Sequence, residues 1–184
     1  MIDIIKTKLH KDDIVKKRSE ISTLLMQASS NIKGGDIKVI STADLKLMFE
    51  FYDKIFFENW FKDSFKGKLK FSLSRRMTKS AGLTLCPKNI DKIKSEELTL
   101  EIRIGVNLFF NYGMVEGRTT VCGVRTSNSL EALQLVFEHE LCHVIEFIHF
   151  KKSTCSGDRF MAIANNLFGH TESHHKLPTY RQIA

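Results

Sequence analysis

The chain has 184 residues, 42% of them hydrophobic, which supplies one domain with a buried core and not comfortably two. With 28 Lys and Arg against 21 Asp and Glu the net charge is +7, a balance that suits an anionic partner such as nucleic acid but specifies none. The cysteines Cys86, Cys122, Cys142 and Cys155 form no CxxC pair, which argues against a zinc ribbon or a thioredoxin-like motif; with no secretory signal and no apolar run near the roughly 20 residues of a membrane helix, the expected setting is a reducing cytoplasm.

Residues 10 to 30 place Ile14, Ile21, Leu24 and Leu25 at helical spacing among charges, so the first expected element is an amphipathic helix. The breaker Asn31-Ile32-Lys33-Gly34-Gly35-Asp36 follows. It divides an N-terminal helical extension, residues 1 to 40, from a main domain, residues 41 to 184. Ser41 or Thr42 caps a second helix carrying Leu45, Met48, Phe49, Tyr52, Ile55 and Phe56, an aromatic stripe expected in the core. After Gly67 the period changes to two. Leu69, Phe71 and Leu73 mark a strand, Leu83 and Leu85 a second, and Leu98 to Ile104 a third, with a polar turn between the last two. Val106 to Tyr112 reads as a short helix. Residues 113 to 128, rich in Gly, Thr and Ser, read as an exposed insertion with a small hairpin through Val121-Cys122-Gly123. Ser129 caps a long helix running to Phe150, and Gly157 opens a last helix ending near Gly169. The expected fold class is α+β: a small, mostly antiparallel three-stranded sheet packed with helices, with the long helix in the core.

That long helix carries His139-Glu140-Leu141-Cys142-His143. Residues four apart on a helix lie on one face, so His139 and His143 can offer two imidazoles to one metal ion. Glu140, offset by about 100°, is the candidate general base toward a zinc-activated water. The flanks Leu130, Leu133, Val136, Phe137, Leu141, Val144, Ile145 and Ile148 make the helix apolar. Two histidines and a glutamate inside such a helix are costly to bury without a partner, and a Zn2+ ion supplies one. Glu146, three residues past His143, reads as a carboxylate behind the ligands or facing solvent.

With these motifs in view, the sequence resembles the SprT-like family of zinc metalloproteases over roughly residues 44 to 177. Leu45 to Phe61, with Tyr52, Phe56 and Phe57, is similar to the family's opening helix. Ser74-Arg75-Arg76-Met77-Thr78-Lys79-Ser80-Ala81-Gly82 is close to its strand signature ending in Ala-Gly, and Ile102-Arg103-Ile104 and the HELCH helix follow in the family's order. The resemblance implies a third metal-binding His followed by Gly and an aromatic residue. Here the stretch is Ser156-Gly157-Asp158-Arg159-Phe160, so Ser156 stands at the His position. Cys155, its neighbour, and His170, past the last helix, are the two candidates for the third ligand; His175 resembles a late family His that is not a ligand.

The resemblance also implies DNA as activator and DNA-bound or DNA-crosslinked proteins as substrates. Lys66, Lys68 and Lys70 share one strand face, and Arg75, Arg76 and Lys79 follow; Lys68, Lys70, Arg75 and Arg76 are the candidate phosphate contacts. Trp60, Phe61 and Phe65 nearby suit either base stacking or the core. The first expected function is a monomeric zinc endopeptidase acting on a protein substrate, with no membrane partner. The alternatives are a non-catalytic nucleic-acid-binding module with structural zinc, and a metallohydrolase of a non-protein substrate.

Overall fold

Six α-helices and five short strands, with one turn of 3-10 helix at Ile90–Lys92, lie in the described part of the chain, residues 2–112 and 119–174 of a computed structural model. In order these are α1 (Lys11–Ala28), α2 (Thr42–Ile55), α3 (Trp60–Ser64), β1 (Lys68–Ser74), β2 (Gly82–Leu85), β3 (Thr99–Gly105), α4 (Val106–Phe110), β4 (Thr119–Val121), β5 (Val124–Thr126), α5 (Ser129–Phe150) and α6 (Asp158–Phe168). His175 lies outside the described residues. Among the described residues no helix is long and apolar enough to cross a membrane.

The sheet is mixed, which corrects the expectation of a mostly antiparallel one. Its order is β1-β3-β2, with β1 parallel to β3 and β2 antiparallel to β3. Burial explains the order. On β3, Leu100, Ile102 and Ile104 are fully buried, whereas every residue of β1 keeps some exposure. The most apolar strand therefore takes the centre, and the two strands that precede it flank it. A tight turn joins antiparallel neighbours, but β1 and β3 are joined through β2, and that longer path permits parallel pairing. The other sheet face is polar: Ser72 and Arg103 both bond the Glu101 carboxylate.

Helix α5 is the axis of the fold. Nearly every position from Ser129 to Ile145 is buried, so it is surrounded rather than half-exposed. Helix α1 shares this core through Ile14, Ile21 and Leu25. Tyr52, Phe56, Phe57, Phe137 and Phe168 pack as one aromatic cluster, with ring centroids 5.2–6.3 Å apart. Trp60 and Phe61 are also buried, Trp60 stacking on His149 at 5.3 Å, so both belong to the core rather than to a base-stacking platform. The hairpin β4–β5 turns on Cys122 (φ 51°) and Gly123 (φ 78°), the two left-handed residues that a two-residue hairpin loop requires. A Cβ at Gly123 would meet Thr171 Oγ1 at 1.9 Å, because residues 171 and 172 cross here and donate their amides to the Cys122 carbonyl.

Asp44 ties the end of α1 to the start of α2. Its carboxylate accepts from Ser29 Oγ at 2.6 Å, Asn31 Nδ2 at 2.7 Å, and the Ser41 amide at 2.7 Å, closing a capping box with Ser41. Burial alone would raise this carboxyl, but the hydrogen bonds from Ser29, Asn31 and Ser41 outweigh it and hold it below its ordinary value. A depressed carboxyl contributes stability that is present above its unfolded pKa and is lost as pH falls through its folded pKa. Asp44→Asn is expected to cost about 1.5–3 kcal/mol in urea unfolding at neutral pH. The gap from wild type should close in acid; a gap that persists there would show that the charge is not the source.

Candidate metal centre

His139 and His143 lie one turn apart on α5, and their Nε2 atoms converge to 3.1 Å. Two ring nitrogens at about 2.0–2.1 Å from one tetrahedral ion stand about 3.3 Å apart, so the observed spacing fits a shared ion. Burial pushes the His143 imidazole down to about 4, the nearby Glu146 charge pulling the other way, which leaves a neutral ring able to ligate. His143 Nδ1 lies 2.6 Å from Ser153 Oγ, while His139 Nδ1 has the Cys122 thiol at 3.9 Å. Both histidines open onto a cavity of about 510 Å³ whose walls include Glu140, Thr84, Ser153, Cys155 and His174.

Three carboxylates are buried on this one helix, and each meets different chemistry. Glu138 is held by Arg18, Tyr52 and His170, and Glu146 by Arg159 and Ser153. Glu140, 2% exposed, has the Thr84 hydroxyl donating to its Oε2 at 2.7 Å. Burial pushes the Glu140 carboxyl up to about 7, with the hydrogen bonds from Thr84 pulling back. A carboxyl poised near neutrality beside a cavity is suited to taking and returning a proton.

The structure brings His139, Glu140, His143 and Cys155 to one cavity, but it does not bring His170 there. The reversal after α6 does return the chain to α5, through the left-handed Gly169, as the lengths of the two helices allow. It returns to Glu138, whose Oε2 lies 2.9 Å from His170 Nε2. Glu138 precedes His139 by one residue, about 100° around the helix, so this contact lies on another face. His170 is fully buried there, and its Nδ1 has no hydrogen-bond partner among the described residues. Ser156 is exposed and bonds Thr154. Among the described residues no three His, Cys, Asp or Glu side chains converge closely enough to hold a metal by themselves. The donor set in hand is therefore two imidazoles, with Cys155 and His174 on the same wall.

Two residues pack around Glu140 in roles that the sequence did not announce. Thr84 lies on β2, where the sequence shows only an alternating strand, and its role follows from β2 packing against α5. Gly82 is the second: a Cβ there would meet Glu140 Oε1 at 2.5 Å and Val136 Cγ1 at 2.8 Å. Only a glycine lets the strand approach this closely. Gly82→Ala is expected to cost about 1–3 kcal/mol of stability through overpacking. It should also turn the Glu140 carboxylate out of place, which a crystal structure of the variant would show directly.

Lys68, Lys70, Arg75 and Arg76 are all exposed, along β1 and the turn that follows it. Lys70 lines a separate, larger cavity of about 840 Å³ together with Lys46, Lys54, Lys62, Phe49, Phe65 and Phe71. No family model, no curated protein and no solved structure matches this chain.

Proposed function

We propose that this protein is a zinc-dependent endopeptidase in which His139 and His143 hold the ion and Glu140 is the general base. The observation that carries the reading is the 3.1 Å convergence of two imidazole nitrogens beside a buried carboxylate in one cavity. The sequence resemblance to SprT-like proteases over residues 44 to 177, which includes this helix, supports the same reading. Zinc, when bound, supplies a Lewis acid that polarises a peptide carbonyl and acidifies water. The chain's own residues do the rest. Glu140 accepts the proton of the attacking water and returns it to the leaving amine, a role open to a carboxylate that faces the cavity beside the two imidazoles. Thr84 fixes the direction of the Glu140 carboxylate, and the cavity walls hold the peptide. Cys155 is our candidate for a third ligand from the protein, because a thiolate binds zinc well and the residue lines the cavity.

We assign DNA-bound proteins as the substrate class on the strength of the resemblance and the exposed cations Lys68, Lys70, Arg75 and Arg76. Metal analysis of the purified chain is expected to find one zinc per molecule, lost in His139→Ala and in His143→Ala. A wild-type chain that takes up no zinc would overturn the reading. The two-imidazole donor set favours a second reading, a nucleic-acid-binding module that keeps zinc for structure alone. That module would bind DNA with an affinity falling steeply with salt and cleave no peptide under any condition.

A further inference from the structure

We propose that Ser153 is a positioning residue for the metal centre, linking the buried Glu146 carboxylate to His143 so that His143 presents its Nε2 to the ion. The inference rests on the zinc reading above. Helix α5 ends at Phe150, and Lys151, in the left-handed conformation (φ 56°), reverses the chain. The reversal lays Ser153 back against the last turns of the helix. Its Oγ stands 2.6 Å from His143 Nδ1 and 2.6 Å from Glu146 Oε2.

The direction of each hydrogen bond follows from the chemistry. Glu146 is paired with Arg159, whose Nε donates to Oε1 at 2.8 Å, and it also accepts the Thr154 amide. As a carboxylate it accepts only, so the single Ser153 hydroxyl proton points to Glu146. Ser153 Oγ is then left to accept, and His143 Nδ1 must carry the hydrogen. A neutral imidazole has one N–H, so its Nε2 bears the lone pair that faces His139 across the cavity. Glu146 is 1% exposed, and Arg159 is laid over the Phe150 ring at 3.8 Å, so the anchor is itself held by packing. The first turn of α6 thus supports His143 twice, through Arg159 behind Glu146 and through Phe160, whose ring centroid lies 4.5 Å from that of the imidazole. Ligating histidines characteristically donate their second nitrogen to a fixed acceptor, and losing that acceptor typically costs about 10–100-fold in metal affinity.

The test uses the full chain with zinc as the only added probe. In the metal-free protein, long-range proton–nitrogen NMR should find His143 protonated on Nδ1, and Ser153→Ala should mix the two tautomers. Competition against a chromophoric chelator should show zinc affinity lower by about 10–100-fold in Ser153→Ala, with most of the loss restored in Ser153→Thr. Thermal melts of the metal-free proteins guard against a folding defect. An Nε2-protonated His143 in wild type, or a zinc affinity unchanged in a folded Ser153→Ala, would overturn the proposal. If wild type and variant alike bind no zinc, the metal reading fails and the positioning role falls with it, whereas the tautomer measurement still decides whether the Glu146–Ser153–His143 link exists.

Discussion

Glu140→Gln should lower peptide cleavage by about 10²- to 10⁴-fold while leaving zinc content unchanged. The amide keeps the shape of the side chain and its contact with the Thr84 hydroxyl, which donates to Oε2 in the wild type. It cannot accept a proton from water and return it. His139 and His143 are untouched, and the Nε2 pair should hold its 3.1 Å spacing. The substitution therefore separates metal binding from proton transfer, which His→Ala changes do not. Cleavage assays on an unstructured protein, with and without DNA, paired with metal analysis, are the measurement. Zinc-loaded Glu140→Gln that cleaves as fast as wild type would remove Glu140 from the mechanism.

Arg18→Met is expected to cost about 3–5 kcal/mol, the largest stability loss we anticipate from a single exchange. Glu138 is fully buried, and its oxygens are saturated. Oε1 accepts from Arg18 Nε at 2.8 Å and from the Tyr52 hydroxyl at 2.7 Å; Oε2 accepts from an Arg18 terminal nitrogen at 2.7 Å and lies 2.9 Å from His170 Nε2. Burial alone would raise this carboxyl, but the Arg18 charge and the hydrogen bonds from His170 and Arg18 together outweigh it and hold the carboxyl below its ordinary value. Removing Arg18 leaves a buried carboxylate without its cation, the expensive half of a broken ion pair. The network joins α1, α2, α5 and the segment after α6, so the loss is shared by all four. Against a typical domain stability of about 5–15 kcal/mol, such a cost would shift the urea midpoint far. A double-mutant cycle with Glu138→Gln should show strong coupling, because the second change removes the charge that the first strands. Additive costs would mean that the pair is not the source.

Most element boundaries were legible in the chain, because local rules govern them. Ser41 and Asp44 form a capping box in four residues, and the Cys122-Gly123 turn needs only its own two left-handed residues. The long apolar helix and its His-Glu-x-x-His spacing were equally local, since a helix places i and i+4 together whatever surrounds it. The short α3 carried no side-chain cap to mark its start, and its Asn59 lies in the left-handed region.

What needed the tertiary structure was everything that depends on which surfaces meet. Parallel pairing of β1 with β3 follows from β3 taking the buried centre, a competition among strands that no single strand reveals. His170 joins Glu138 rather than His139 and His143 because the side of α5 on which the returning chain lands is set by packing, not by helix length. Thr84, Gly82 and Ser153 acquire their roles only when β2 and the turn after α5 close on the helix. The sequence by itself determined two imidazoles and a carboxylate on one stretch of helix, since backbone geometry dictates that. Only the folded chain decided which partner each buried polar group receives, because a partner such as Arg18 for Glu138 lies 120 residues away and is chosen by the shape of the core.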